Sequence, residues 1–249
     1  MKYRKSPPRL WWNSVEIITF GAFLFWAAAG FFFMTQGITP KMVSHWNLPD
    51  WLIQFITFCL KNGDPILILL AFANTHLHAA YQWSAPVARN WASTIVVLSF
   101  GVEALGCHTG FPFGDYHYTA SMGPQIYEVP VVIPFAWHVV VTNFLFVIRI
   151  LVPYISQALE AMAVGALCLV YDYILEPFAT TVKHYWNWTE GPVSALNYPA
   201  WFVVGALLVW FFAPTYTSRN RKDIRPWVIL AVTLGIFETA RYMADLGLW

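Results

Sequence analysis

Acidic side chains set in apolar surroundings are the residues of this chain best suited to chemistry. Glu103, Glu160, Asp172, Glu176 and Glu238 fall within or at the edge of strongly apolar runs. A carboxylate at bilayer depth costs about 2.5–3.5 kcal/mol on insertion scales, so it persists where it is paired, protonated or used. Asp172 and Glu176 stand four residues apart and share one face of a helix. Two carboxyls in one apolar site can hold a single proton between them, and such a pair can act as general acid and general base. Glu160 and Glu238 are expected to hold helices together or to meet Arg149 or Arg241.

A polar stretch from Glu103 to Pro134 adds further ionisable groups: Asp115, Glu128, His108, His117, Tyr116, Tyr118 and Tyr127. Its glycines and prolines make it turn-rich rather than helical. His108 and His117, near Asp115, have the chemistry to position or activate a water; an interfacial hydrogen-bonding loop is the structural alternative. Cys107 beside His108 is no nucleophile pair, because adjacent residues rarely point at each other. His76 and His78 lie on different helix faces, and paired histidine boxes are absent, so no metal site is expected. Trp137, Tyr171, Tyr173, Tyr185, Trp186 and Trp188 suit a membrane-interface belt, or an apolar groove whose π-faces steady a cation.

The elements that must position these groups are transmembrane helices. Hydrophobic residues make up 58% of the 249 and charged residues 11%, against about 25% charged in soluble domains. The expected fold is all-α: a polytopic transmembrane helical bundle of about seven spans forming one integral-membrane domain, 1–249. The apolar runs are continuous, unlike those of a β-barrel. Spans are expected at about Val15–Met34, Pro65–Gln82, Val87–Leu105, Val131–Leu151, Ile155–Leu175, Tyr198–Phe212 and Trp227–Leu246. Trp51–Leu60 is too short to cross and is expected in the interface. The basic start lacks a clear cleavage site, so the first span is expected to be retained.

With a cytoplasmic N-terminus, Lys2, Arg4, Lys5, Arg9, Arg89, Arg149, Arg219, Arg221, Lys222 and Arg225 gather on the cytoplasmic side, against Lys41, Lys61, Lys183 and Arg241 opposite. That asymmetry favours N-in and the cell inner (cytoplasmic) membrane. It puts two turn-rich loops, after Glu103 and over 176–197, together on the non-cytoplasmic face. The net charge of +1 offers nothing to nucleic acid, and none is expected as a partner. Three scattered cysteines imply no disulfide framework. No phosphate-binding or dinucleotide loop is present.

Glu103, Gly106, Thr109, Gly110, Phe111, Pro112, Phe113, Gly114, Tyr116 and Tyr118 spell a pattern that resembles the integral-membrane carotenoid biosynthesis protein family. Its members include carotenoid 1,2-hydratases of γ-carotene-type and bacterioruberin-type pathways. Gly123-Pro124, Val129-Pro130 and Pro134 with Trp137 are similar to the family's next stretch. Asp172 with Pro177, Trp186 with Trp188, Gly191-Pro192 and Asn197-Tyr198 with Trp201 resemble its later pattern. Tyr127-Glu128 and Tyr198 depart from the usual residues, which leaves the substrate end group unspecified.

The resemblance implies addition of water across the terminal C1–C2 double bond of an acyclic carotenoid such as lycopene or γ-carotene, giving a tertiary alcohol. It calls for no redox cofactor and no metal. A neutral carboxylic acid, Glu103 or Asp172, would protonate the alkene. Asp115 or Glu176, with His108 or His117, would prepare the water. Tyr116, Tyr118, Phe111, Phe113, Trp137, Trp186, Trp188, Asn197 and Trp201 would line the pocket for this isoprenoid, whose other partner is the lipid bilayer. The competing expectations are a non-catalytic carotenoid- or lipid-binding subunit of a pigment–protein assembly, a metal-using oxygen-dependent hydroxylase, and a proton-coupled transporter.

Overall fold

Helices supply most of the regular structure in the computed structural model, which describes residues 9–215 and 223–247, the first five by backbone alone. In chain order they are α1 (Arg9–Thr35), α2 (Pro40–Val43), α3 (Asp50–Lys61), α4 (Gly63–Gln82), α5 (Ala85–Thr109), α6 (Ile133–Leu151), α7 (Gln157–Pro177), α8 (Asn197–Phe212) and α9 (Arg225–Asp245). Prolines open α5, α6 and α9, where the missing N–H has no intrahelical acceptor to lose. Thr39 and Ser156 cap α2 and α7 by accepting from the N–H of Met42 and Leu159.

The all-α membrane bundle expected from composition is present. Five helices, Ser14–Thr35, Ala85–Thr109, Ile133–Leu151, Gln157–Val182 and Arg225–Asp245, are long and apolar enough to cross a bilayer. The expected short interfacial segment is α3, which meets α4 at a 69° bend. The expected sixth span is α8, apolar but only 16 residues long. Among the described residues the membrane-protein bundle thus has five helices of spanning length, one bent helix pair and one short apolar helix. Lys2, Arg4, Lys5, Arg219, Arg221 and Lys222, which weigh in the orientation count, lie outside the described residues.

Helix α6 is the hub. Val140, Val141, Leu145 and Phe146 are buried, and the helix packs against α4, α5, α7, α8 and α9. Helices α7 and α8 form the most extensive pair. A Cβ on Gly165 would fall 2.5 Å from the Phe202 carbonyl oxygen, and one on Gly205 would fall 2.9 Å from Cys168 Sγ. Small residues at this contact let the two backbones approach, the usual device where lipid removes the hydrophobic drive between helices. Glu160 accepts a two-pronged bond from Arg149, Nε to Oε1 at 2.7 Å and Nη2 to Oε2 at 2.8 Å. Glu238 sits half-exposed, 3.6 Å from Arg241.

The two turn-rich loops meet through strands that alternation in the sequence did not announce. Strand β1 (Tyr116–Tyr118) pairs antiparallel with β4 (Trp186–Trp188), with Tyr116 opposite Trp188 and Tyr118 opposite Trp186. A second hairpin, β2 (Gln125–Ile126) with β3 (Val129–Pro130), turns on Tyr127 and Glu128, whose φ values are 48° and 64°. Both central residues with positive φ define the tight turn that matches strand twist. Beyond Pro177 the helix loosens into one wider turn, Phe178–Val182, before β4.

Candidate active site

The end of α5, the start of α6, the end of α7 and the start of α8 converge beneath the β1–β4 ribbon. Glu103, on the last turns of α5, is 3% exposed. Residues alternate across a strand, so Tyr116 and Tyr118 project from the same face of β1. Both hydroxyls donate to Glu103 Oε2, at 2.6 and 2.8 Å. From the first turns of α6, Trp137 Nε1 donates to Oε1 at 2.7 Å. Burial first, then the negative charge of Glu103, pushes both phenols well above their ordinary range, so they remain protonated donors.

Gly106 makes this reach possible. It lies one turn beyond Glu103, and a Cβ there would fall 2.9 Å from the Phe113 ring and 3.0 Å from the Tyr116 hydroxyl. Trp137 is held in turn by Trp201, stacked with centroids 4.0 Å apart and planes 17° apart.

Asp172 and Glu176 do share one face of α7, and Asn197 at the start of α8 joins them. Its Nδ2 donates to Asp172 Oδ2 at 2.5 Å and to Glu176 Oε1 at 3.1 Å. Trp188 Nε1 donates to Glu176 Oε2 at 3.2 Å. The other oxygen of Asp172, Oδ1, is buried without a hydrogen-bond partner. A buried acceptor in that condition costs free energy unless a proton, a water or a substrate meets it.

Two cavities meet at this cluster. A small one of about 270 Å³ is lined by Glu103, Asp172, Glu176 and Asn197, closed by Phe113 and Trp188. A larger chamber of about 880 Å³ is almost wholly apolar, lined by Ile133, Val140, Leu175, Phe178 and Phe237 among others. Glu103, Tyr118, Trp186 and Trp201 line both. The Glu103 carboxylate thus stands in the wall between an apolar space and a polar one.

The structure does not bring every expected residue here. His117 projects from the other face of β1 and is exposed, as alternation requires once Tyr116 and Tyr118 face inward. His108 is exposed and bonds the Ala104 carbonyl oxygen through Nδ1. Asp115 is exposed, and its contribution is its backbone oxygen, which accepts from Thr189 N–H and ties the two loops together. Phe111 is 66% exposed and points away. Phe113, Tyr116, Tyr118, Trp137, Trp186, Trp188, Asn197 and Trp201 all lie against one or both cavities.

Two buried acids went unremarked in the sequence, Glu16 and Asp223. Glu16, near the start of α1, bonds His78 Nδ1 at 2.9 Å and Arg225 Nη1 at 2.6 Å. Asp223 completes the group, pairing with Arg225 and standing 3.6 Å from His78. Burial pushes the Asp223 carboxyl up, but its bonds from Arg225 and the facing His78 hold it below the usual carboxylate range. Glu16, His78 and Asp223 have the donor set of a metal site, yet the Arg225 guanidinium already supplies the positive charge. Position inside an apolar span was the signal for Glu16, the same signal that marked Glu103.

Residues 63–247 match the family described as Carotenoid biosynthesis protein. The chain is also similar to the bisanhydrobacterioruberin hydratase of Haloarcula japonica, 26% identical over 125 residues, which covers 47% of this chain and 42% of that protein. The chain thus spans less than half the length of the curated relative it matches. No solved structure matches. The family match runs through every carboxylate, donor and aromatic of the two cavities, and this chain belongs to the carotenoid biosynthesis protein family.

Proposed function

We propose that the chain is a carotenoid hydratase acting on the terminal C1–C2 double bond of an acyclic end. The observation that carries this reading is the placement of Glu103 between the apolar chamber and the small cavity that holds Asp172 and Glu176. The name of the Haloarcula japonica relative supports the same reaction class.

The chamber takes the isopropylidene end. Asp172, whose Oδ1 has no other partner, carries a proton shared with Glu176 and delivers it to C2, the less substituted alkene carbon. The C1–C2 π electrons form the new C2–H bond and leave a tertiary cation at C1. Glu103, whose two oxygens accept three donors, faces that cation and offsets its charge. The faces of Trp137, Trp186 and Trp201 line the same wall and add cation–π attraction. A water in the small cavity attacks C1, and its surplus proton passes to the Asp172–Glu176 pair, restoring the starting state. One water is consumed and the product is a tertiary alcohol.

Glu176, rather than Asp115 or either loop histidine, fills the role of partner acid here, because it lines the cavity and they are exposed. With Arg-rich ends inside, the site opens toward the non-cytoplasmic half of the cytoplasmic membrane. Expression in a host that accumulates an acyclic carotenoid tests the reaction. The expected product is heavier by one water per reacted end, with its oxygen drawn from labelled water. Oxygen drawn from labelled dioxygen overturns hydration in favour of a hydroxylase, and unchanged pigment overturns it in favour of a binding subunit.

A further inference from the structure

Behind the chamber lies a second, larger space that the reaction does not use. It lies between α1 and α3 and has about 1390 Å³ of volume, part of it open to the surroundings. Its presence follows from the 69° bend between α3 and α4. Helix α3 buries none of its residues fully and packs chiefly on the short α2 rather than on α1. The walls are Phe25, Phe31 and Met34 from α1 facing Phe55, Ile56 and Leu60 from α3. Phe25 and Phe55 are largely exposed, so the rim is aromatic and open to lipid.

This groove adjoins the reaction chamber. Asp64, Leu67 and Ile236 line both. At that neck the Asp64 carboxylate is neutralised by Lys183, Nζ to Oδ2 at 2.9 Å, and bonded by the Tyr185 hydroxyl. An ion pair closed on itself leaves Leu67 and Ile236 to face whatever passes. A long polyene is an extended apolar chain, and the groove offers it an apolar, lipid-facing wall next to the chamber that takes its end.

We infer that the α1–α3 groove binds the polyene chain of the substrate, running from the lipid-facing rim past Asp64 and Lys183, while the reacting end lies at Glu103. This rests on the hydratase reading for its substrate class. It adds a chain-binding subsite walled chiefly by α1 and α3, elements that carry none of the site's carboxylates Glu103, Asp172 and Glu176.

Two substitutions from opposite walls test it. Gly30 lines the groove and a Cβ there would meet nothing within 4 Å, so Gly30→Trp introduces bulk from the α1 wall. Ile56→Trp fills it from α3. Each variant, reconstituted in nanodiscs, is compared with the parent for retention of a long acyclic polyene, read by its visible absorption. Hydration is compared on that polyene and on a short acyclic isoprenoid with the same isopropylidene end. The expected result is at least a tenfold loss of polyene retention and a matching rise in KM for the long substrate. Turnover of the short one should stay within twofold, which also shows that the variant is folded. Parent-like polyene retention in both variants overturns the groove, as does an equal loss on long and short substrates. If the parent hydrates neither compound but both variants lose polyene retention, the groove stands and the hydratase reading falls.

Discussion

Trp137 Nε1 lies 2.7 Å from Glu103 Oε1, a single bond that ties the first turns of α6 to the last turns of α5. It fixes the carboxylate from the side opposite the two tyrosines. It also makes the indole part of the wall that the substrate end would meet. Replacing Trp137 by Phe keeps an aromatic ring for the stack on Trp201 but removes the donor. Leaving a buried acceptor unmet costs roughly 1–3 kcal/mol. Hydration should fall about tenfold to a hundredfold while expression is retained, measured as product per unit of purified protein. Full activity would mean that Glu103 does not depend on this donor.

In the proposed reaction the carboxylates divide the work, so their amide variants should behave alike in yield and differ in detail. Asp172→Asn removes the proton donor, and Glu103→Gln removes the charge that offsets the cation. Each should lower turnover by about 10²–10⁴-fold, the usual range for a positioned acid or base, with expression intact. Product analysis in the carotenoid-accumulating host is the measurement. If either variant remains fully active, that residue has no part in the reaction.

Gly106 tests whether the tyrosine bonds matter as geometry. A Cβ at this position meets the Tyr116 hydroxyl and the Phe113 ring, so Gly106→Ala should push Tyr116 off Glu103. Activity should fall by about the same factor as in Tyr116→Phe. The double variant should be no worse than either single one, because groups that act through one contact are not additive. Multiplicative losses in the double variant would show that Gly106 acts on something else.

Arg149 and Glu160 provide the contrast. They form a buried two-pronged pair between α6 and α7, remote from both cavities. Arg149→Ala leaves a carboxylate buried without its counter-charge, which costs about 3–5 kcal/mol. Thermal stability in detergent should drop, while the KM of whatever protein remains folded is unchanged. Arg149→Met with Glu160→Leu should recover most of the lost stability. A fall in activity of the stable double variant would tie this pair to the site.

Much of this organisation is local and therefore visible in one chain. Apolar runs of span length can only be helices in lipid, because every backbone N–H and C=O must be met within the segment. The spacing of Asp172 and Glu176 puts them on one face wherever α7 lies, and Asn197 confirms it by bonding both. The turn residues between Gly110 and Pro134 likewise had to form a loop. Acidic side chains set within apolar runs likewise mark Glu103, Asp172 and Glu176 without reference to the fold.

What the sequence could not supply was the choice of partners. Whether Asp115 or Glu176 joins Glu103 depends on how β1 meets β4, a pairing between segments some 70 residues apart. Once that register placed Tyr116 and Tyr118 inward, strand alternation turned His117 outward. The link between Glu16 and Arg225, and the bend that opens the α1–α3 groove, also depend on packing between distant segments. Periodicity fixes which face a residue occupies on its own element. Only tertiary packing decides what that face meets, because the contact energy belongs to both partners and is absent from either segment alone.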